Sequence, residues 1–194
     1  LEVMEESQVT VDGVAHAAGR PFMVIATQNP IEQAGTYRLP EAQLDRFLVK
    51  TSVGYPDRVA LRRVLAGSAR PDRSRSLGAV IASSAVASMA DLAAGNHVED
   101  SVLDYVGALV EATRGDSSVR LGVSTRGAIA MVRVARVWAA AQGRAYVVPD
   151  DVKDLARSVW AHRVVMDPDA EFAGASPEQV IDHALTTVPA PTHR

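Results

Sequence analysis

The apolar residues of this chain follow two different rhythms, and the change falls near residue 67. Before it they form short runs and alternations of strand length; after it they recur at helical spacing. Phe22-Met23-Val24-Ile25-Ala26 is wholly apolar, holds a β-branched pair, and predicts a strand buried on both faces of a sheet. Thr27, Gln28 and Asn29 then turn the chain polar, and Pro30 ends the ladder by removing a backbone donor. A buried strand with amides at its tip is a common way for an α/β sheet to present side chains to a ligand crevice. Ahead of it, Leu1 to Glu6 predicts the last turns of a helix. Gln8 to Val11 alternates and meets Asp12-Gly13, a strong turn pair, so residues 7 to 20 predict a hairpin. Behind it, Pro40 and Glu41 suit the first turn of a helix. That helix is expected to run about two turns, with Leu44, Phe47 and Leu48 inward and Asp45 and Arg46 further round. Leu48 to Val53 predicts a second strand, and Asp57 to Ala66 a helix ended by Gly67.

Residues 67 to 78 are mostly Ser, Gly, Pro and Arg with almost nothing to bury, which marks a linker and a domain boundary. The remainder lacks strand alternation. It predicts helices over Ala79 to Leu92, Glu99 to Arg114, Ser124 to Arg144, Pro149 to Val165 and Pro177 to Leu185. The second carries Val102, Leu103, Val106, Leu109 and Val110 on one stripe. The third opens on Ser124, a good N-cap, and runs through Ile129, Val132, Val134, Val137 and Trp138. Its apolar positions go nearly all the way round, so it is expected at the centre of a bundle, with Trp138 and Trp160 in the core. The fourth begins Pro149-Asp150-Asp151 and ends near His162 and Arg163, each charge suiting its end of the dipole.

The run ATQNP followed by GTY-LPEAQLDRF resembles the MoxR family of AAA+ ATPases. The resemblance implies α/β followed by all-α: the C-terminal part of an AAA+ P-loop ATPase core over residues 1–66, the linker at 67–78, and a helical lid over 79–194. It implies that Asn29 senses the γ-phosphate and the attacking water, and that Arg46 is the finger offered to the neighbouring subunit's ATP. Arg126, in LGVSTRGA, falls where the family places the lid arginine that contacts nucleotide phosphates. Arg38 departs from the proline usual in that loop. Taken singly, each residue has a plainer reading: Asn29 as a strand-end cap, Arg46 as a surface charge on Asp45 or Glu41, Arg126 as one half of an ion pair with an acid such as Asp150. Their joint occurrence in the expected order favours the site. A cation in a first helical turn is opposed by the dipole, which also points to something negative beside Arg126.

Composition narrows the function. The chain is 47% hydrophobic and 22% charged, ordinary globular material. Cysteine is absent, which excludes disulfides and thiolate chemistry, and the five histidines show no metal spacing. A net charge of −3 argues against a broad nucleic-acid footprint, and the cluster Arg70, Arg73, Arg75 lacks interleaved aromatics. No apolar run is long enough to span a bilayer. Phosphoryl transfer by this class needs a GxxxxGK[ST] loop and an acidic strand end for Mg²⁺, and no such loop occurs in these residues. The resemblance therefore implies that both lie ahead of Leu1 and that the sequence is a fragment, inactive alone. It further implies an ATP- and Mg²⁺-dependent, cytoplasmic, hexameric ring. Such a ring acts as a chaperone-like remodeller of client proteins, some with a von Willebrand factor A domain, or assists metal or cofactor insertion. A metal-chelatase-type motor subunit and a non-catalytic client-binding helical module are the alternatives.

Overall fold

Among the described residues, 2–28, 40–67 and 77–192 of a computed structural model, every buried hydrophobic side chain lies between Ala93 and Ala184. The core is thus a helical one. It is built by α4 (Ser83–Ala94), α5 (Asp100–Gly115), α6 (Thr125–Ala141), α7 (Pro149–Trp160) and α9 (Pro177–Thr187). In order before them come α1 (Glu2–Glu6), β1 (Gln8–Val11), β2 (Val14–Ala17), α2 (Glu41–Leu44) and α3 (Arg58–Gly67). Between α5 and α6 lies β3 (Val119–Leu121). After α7 come a 3₁₀ turn (Ala161–Arg163), β4 (Val165–Met166) and α8 (Pro168–Phe172).

Helix α6 is central, as the pattern predicts, and runs against α4, α5 and α7. The stripe it buries is different from the expected one. Gly127, Ala130, Met131, Ala135 and Ala139 face the core, while Ile129 and Val137 are half-exposed and Trp138 lies partly on the surface. Small residues let neighbouring helices approach closely, so the bulky side chains of α6 lose the inner face to them. Trp160 of α7 is fully buried, as expected, and its indole Nε1 donates to Gly127 O at 3.0 Å. On α5 the stripe holds at Val102, Val106, Leu109 and Val110, with Tyr105 and Thr113 buried beside them and Leu103 turned out.

The bundle is closed by two features too short to read as periodicity. β3 pairs antiparallel with β4, joining the loop before α6 to the chain after α7. Asp151 accepts from Val148 N–H at 2.9 Å and pairs with Arg144, fixing the corner between α6 and α7. The hairpin forms as expected, with β1 against β2. Asp12 (φ 50) and Gly13 (φ 79) take the left-handed values that a type I′ turn requires.

Neither of the two predicted strands forms. Phe22 to Ala26 makes no ladder, and Phe22, Met23 and Ile25 are 48%, 76% and 77% exposed. Leu48 to Val53 likewise stays outside any strand. An apolar run becomes a strand only where other strands satisfy its backbone groups, and no described strand lies beside either. The boundary at 67–78 falls largely on residues 68–76, outside the described residues.

Thr113 tests how the loop before α6 is held. Its fully buried hydroxyl donates to Val110 O at 2.7 Å and accepts from Val123 N–H at 3.1 Å. Thr113→Val keeps the shape and strands the Val123 donor, so unfolding in urea should show a loss of about 1–3 kcal/mol.

Candidate functional site

Pro40 opens a helix of a single turn: α2 ends at Leu44, and Asp45 and Arg46 close it with backbone bonds to Glu41 O (3.0 Å) and Gln43 O (3.3 Å). One turn of helix cannot hold itself in water. The segment is fixed instead from the far end of the chain. Arg120 on β3 pairs with Glu41 at 2.7 Å, Lys50 N–H donates to Ser158 O at 2.9 Å, and the side chains of Ser124 and Arg163 converge on Asp45. Asp45 therefore faces the bundle rather than lying further round the helix.

The receiving surface is built locally. Gly122 packs so tightly on the end of α5 that a Cβ there would lie 2.8 Å from Arg114 Cα. Arg114 Nε also holds Val123 O at 2.9 Å, and Val123 is fully buried. The loop is thus pinned just before α6. Ser124 caps that helix by accepting from Gly127 N–H at 3.1 Å, and its hydroxyl donates to Asp45 Oδ2 at 3.0 Å. Gly127 sits under the stem of Arg163: a Cβ there would come within 2.9 Å of Arg163 Cδ.

Arg163 itself is a buried guanidinium, its side chain 2% exposed. Its Nε donates to Asp45 Oδ1 at 2.9 Å and its Nη2 to the carbonyls of Asp45 (3.1 Å) and Phe47 (2.6 Å). Its Nη1 reaches Leu48 O at 3.3 Å and also donates to Val159 O. Burial pushes its pKa down and Asp45 pushes it back up, and an arginine stays charged at any pH the fold survives. Beside it, His162 Nε2 lies 2.9 Å from Phe47 O. Burial holds the imidazole pKa below its ordinary value, with the charges of Arg163 and Lys50 acting in the same direction.

Of the residues singled out by sequence, Arg126 comes to this cluster. It lies in the first turn of α6, half-exposed, with Nη1 3.9 Å from Asp45 Oδ2. The acid it meets is Asp45 and not Asp150, whose partner is Lys153 at 2.8 Å. Arg46, half-buried, immediately follows that shared carboxylate. The two acids suggested as its surface partners bond elsewhere, Glu41 to Arg120 and Asp45 to Arg163. Asn29 lies outside the described residues. Sequence reasoning missed Asp45, His162 and Arg163. The only signal for them was an acid and a basic pair beside residues already chosen.

Two family models match the chain. The ATPase family associated with various cellular activities (AAA) covers residues 1–49, and the AAA lid domain covers residues 111–184. Chaperone MoxR1 of Mycobacterium tuberculosis is 38% identical over 98% of this chain and 52% of its own length. The uncharacterized Bacillus subtilis protein YeaC is 40% identical over 100% of this chain and 61% of its own. The crystal structure of a Cytophaga hutchinsonii protein assigned as an ATPase superposes with a TM-score of 0.88 at 33% identity, covering 98% of this chain and 61% of that one. The chain belongs to the MoxR family of AAA+ ATPases.

It spans between half and two thirds of the length of these relatives. The Asp45 cluster of this MoxR-family chain joins its two matched parts, since Asp45 and Arg46 fall in the AAA match and Arg126 and Arg163 in the lid match. Among the described residues, no group of three or more His, Cys, Asp or Glu side chains is arranged to hold a metal ion.

His162 gives the contact a pH dependence. Its folded pKa is depressed, so the unfolded chain binds the proton more readily than the folded one. The stability it contributes is present above the unfolded value, about 6.5, and is lost as pH falls through the folded one. Melting temperatures should therefore rise from about pH 5.5 to pH 7.5, and His162→Gln, which keeps a donor for Phe47 O, should flatten that rise.

Proposed function

We propose that the complete protein hydrolyses ATP as a hexameric ring in the cytoplasm and uses the cycle to remodel or activate client proteins. The observation that carries this reading is the shared carboxylate. Asp45 ties the segment bearing Arg46 to the helix start bearing Arg126, so the backbone that carries each of these two cations is held at one carboxylate. In this reading residues 1–66 complete the ATPase core and 79–194 form its lid, joined by 67–78. Asn29 orients the attacking water. Arg46 reaches the neighbouring subunit's nucleotide, and Arg126 meets phosphates at the positive end of α6.

The nucleotide would be gripped here only at its periphery. The GxxxxGK[ST] pattern, whose backbone N–H groups supply most of a phosphate cradle, does not occur in this sequence. Arg126 fits a phosphate because it is charged, half-exposed and only loosely engaged with Asp45. Bound ATP would supply the phosphoryl group. This chain's own residues would stabilise its charge and position water, and residues 1–194 alone would bind Mg-ATP weakly. The chaperone named among the relatives supports a protein client. A von Willebrand factor A domain partner and help with metal or cofactor insertion are the finer readings.

Arg46→Ala in the complete ring decides the reading. A guanidinium finger is worth about three to five decades in rate, so kcat should collapse while ATP binding is retained. Mixing Arg46→Ala with a phosphate-loop variant of the same protein should restore part of the activity, because each subunit supplies what the other lacks. Mixed rings that assemble and regain nothing would rule out action across the subunit boundary.

A further inference from the structure

Arg163 does something that a charge partner for Asp45 need not do. One nitrogen, Nη2, donates both to Asp45 O at 3.1 Å and to Phe47 O at 2.6 Å, the carbonyls of the two residues that flank Arg46. Nε takes the carboxylate of Asp45 at 2.9 Å, and Nη1 reaches Leu48 O at 3.3 Å. A single fork from the lid thus straddles the backbone on both sides of Arg46. The stem of the fork is fixed in turn. It crosses Gly127, where a Cβ would come within 2.9 Å, and it rises from a 3₁₀ turn that directly follows Trp160. Gly127 belongs to the first turn of α6, the turn that carries Arg126.

We infer that Arg163, acting with Asp45, is a positioning residue for Arg46: it makes the lid of each subunit set the path of that subunit's own finger. This rests on the reading of Arg46 proposed above. The geometry carries it in two steps. The one-turn helix α2 holds the backbone after Leu44 only by turn bonds from Asp45, Arg46 and Phe47. One such turn is not stable by itself, so the path of Arg46 depends on what grips residues 45 to 48. That grip comes from the lid, from the 3₁₀ turn whose arginine stem lies against Gly127 in the turn that presents Arg126. Asp45 is shared, with Arg163 held tightly and Arg126 at 3.9 Å. An anion that drew Arg126 away would leave Asp45 to Arg163 and the Ser124 hydroxyl, so the state of one nucleotide site reaches the finger aimed at the next.

Only a planar fork can bridge two carbonyls and a carboxylate together, since an ammonium is a point charge on a flexible stem. Arg163→Lys and Arg163→Gln should therefore both impair the complete protein. The predicted signature is a fall in kcat of about ten- to a hundredfold with KM for ATP within about threefold, as for a reacting group misplaced by about an ångström. Three readouts separate positioning from a structural role. Mixed rings of Arg163→Gln with a phosphate-loop variant should recover activity, as Arg46→Ala mixtures do, because the Arg163→Gln subunit keeps a sound nucleotide site. Adding Arg163→Gln to Arg46→Ala should cost nothing further, since the first acts through the second. Arg157→Ala, which removes an exposed lid ion pair with Asp182, should stay within about twofold of the unaltered ring. If the Arg163 variants fail to assemble, Asp45→Asn, which keeps the shape, is judged by the same mixing and double-variant criteria. The inference is overturned if Arg46→Ala abolishes turnover while these variants keep it within about twofold. Lost activity that mixing does not restore overturns it equally. Full turnover by Arg46→Ala itself would instead remove the reading on which the inference rests.

Discussion

A guanidinium taken almost wholly out of water is costly unless every donor finds an acceptor, and an unpaired one would cost several kcal/mol. Arg163 meets that condition only because a segment 118 positions earlier in sequence lays its carbonyls and one carboxylate against it. The dependence runs both ways. Residues 41 to 50 hold one turn of helix and no fully buried side chain, so hydrophobic burial contributes little to fixing them where they lie. The bundle, by contrast, has a hydrophobic core of its own. What joins the two matched parts of the chain is therefore polar. It is directional and specific in register, and it is sensitive to the protonation of the neighbouring imidazole.

The preparation of that contact extends well into the bundle. Thr113 and Arg114 at the end of α5 fix Val123, Ser124 caps α6 and reaches Asp45, and Gly127 leaves room for the arginine stem. Trp160 locks the Gly127 carbonyl from the other side. Each is a small constraint. Together they place the first turn of α6 and the 3₁₀ turn after α7 within reach of one carboxylate, and β3 with β4 closes the same corner.

Much of this was legible in the sequence, and what was not has physical causes. Helices with a strong 3.6-residue pattern appeared close to where α4, α5, α6, α7 and α9 stand, and the Asp12-Gly13 turn fixed the hairpin. Apolar size misled on α6, because the residues that let helices approach are the small ones and not Ile129 or Val137. Composition alone also misled at Phe22 to Ala26, where strand character depends on neighbouring strands that the described residues do not contain. β3 and β4 are too short to alternate detectably. Arg126 could be chosen because a cation at a helix start conflicts with local electrostatics. Arg163 lies at a helix end, where a cation is welcome, and so nothing local distinguished it.

That difference in legibility matches a difference in chemistry. Arg126 and Arg163 carry the same group and address the same carboxylate, yet one side chain is 50% exposed and the other 2%. A guanidinium whose donors are spent on protein oxygens has nothing left to offer a phosphate. One that is half-exposed, 3.9 Å from this carboxylate and set against the helix dipole still presents donors to solvent. Burial sorts two chemically identical side chains, one into holding the structure and one, in the proposed reading, into meeting a phosphate. The carboxylate between them is a group that both address. For that reason Asp45, rather than either arginine, is where a change at a nucleotide would first be felt by the backbone that carries Arg46.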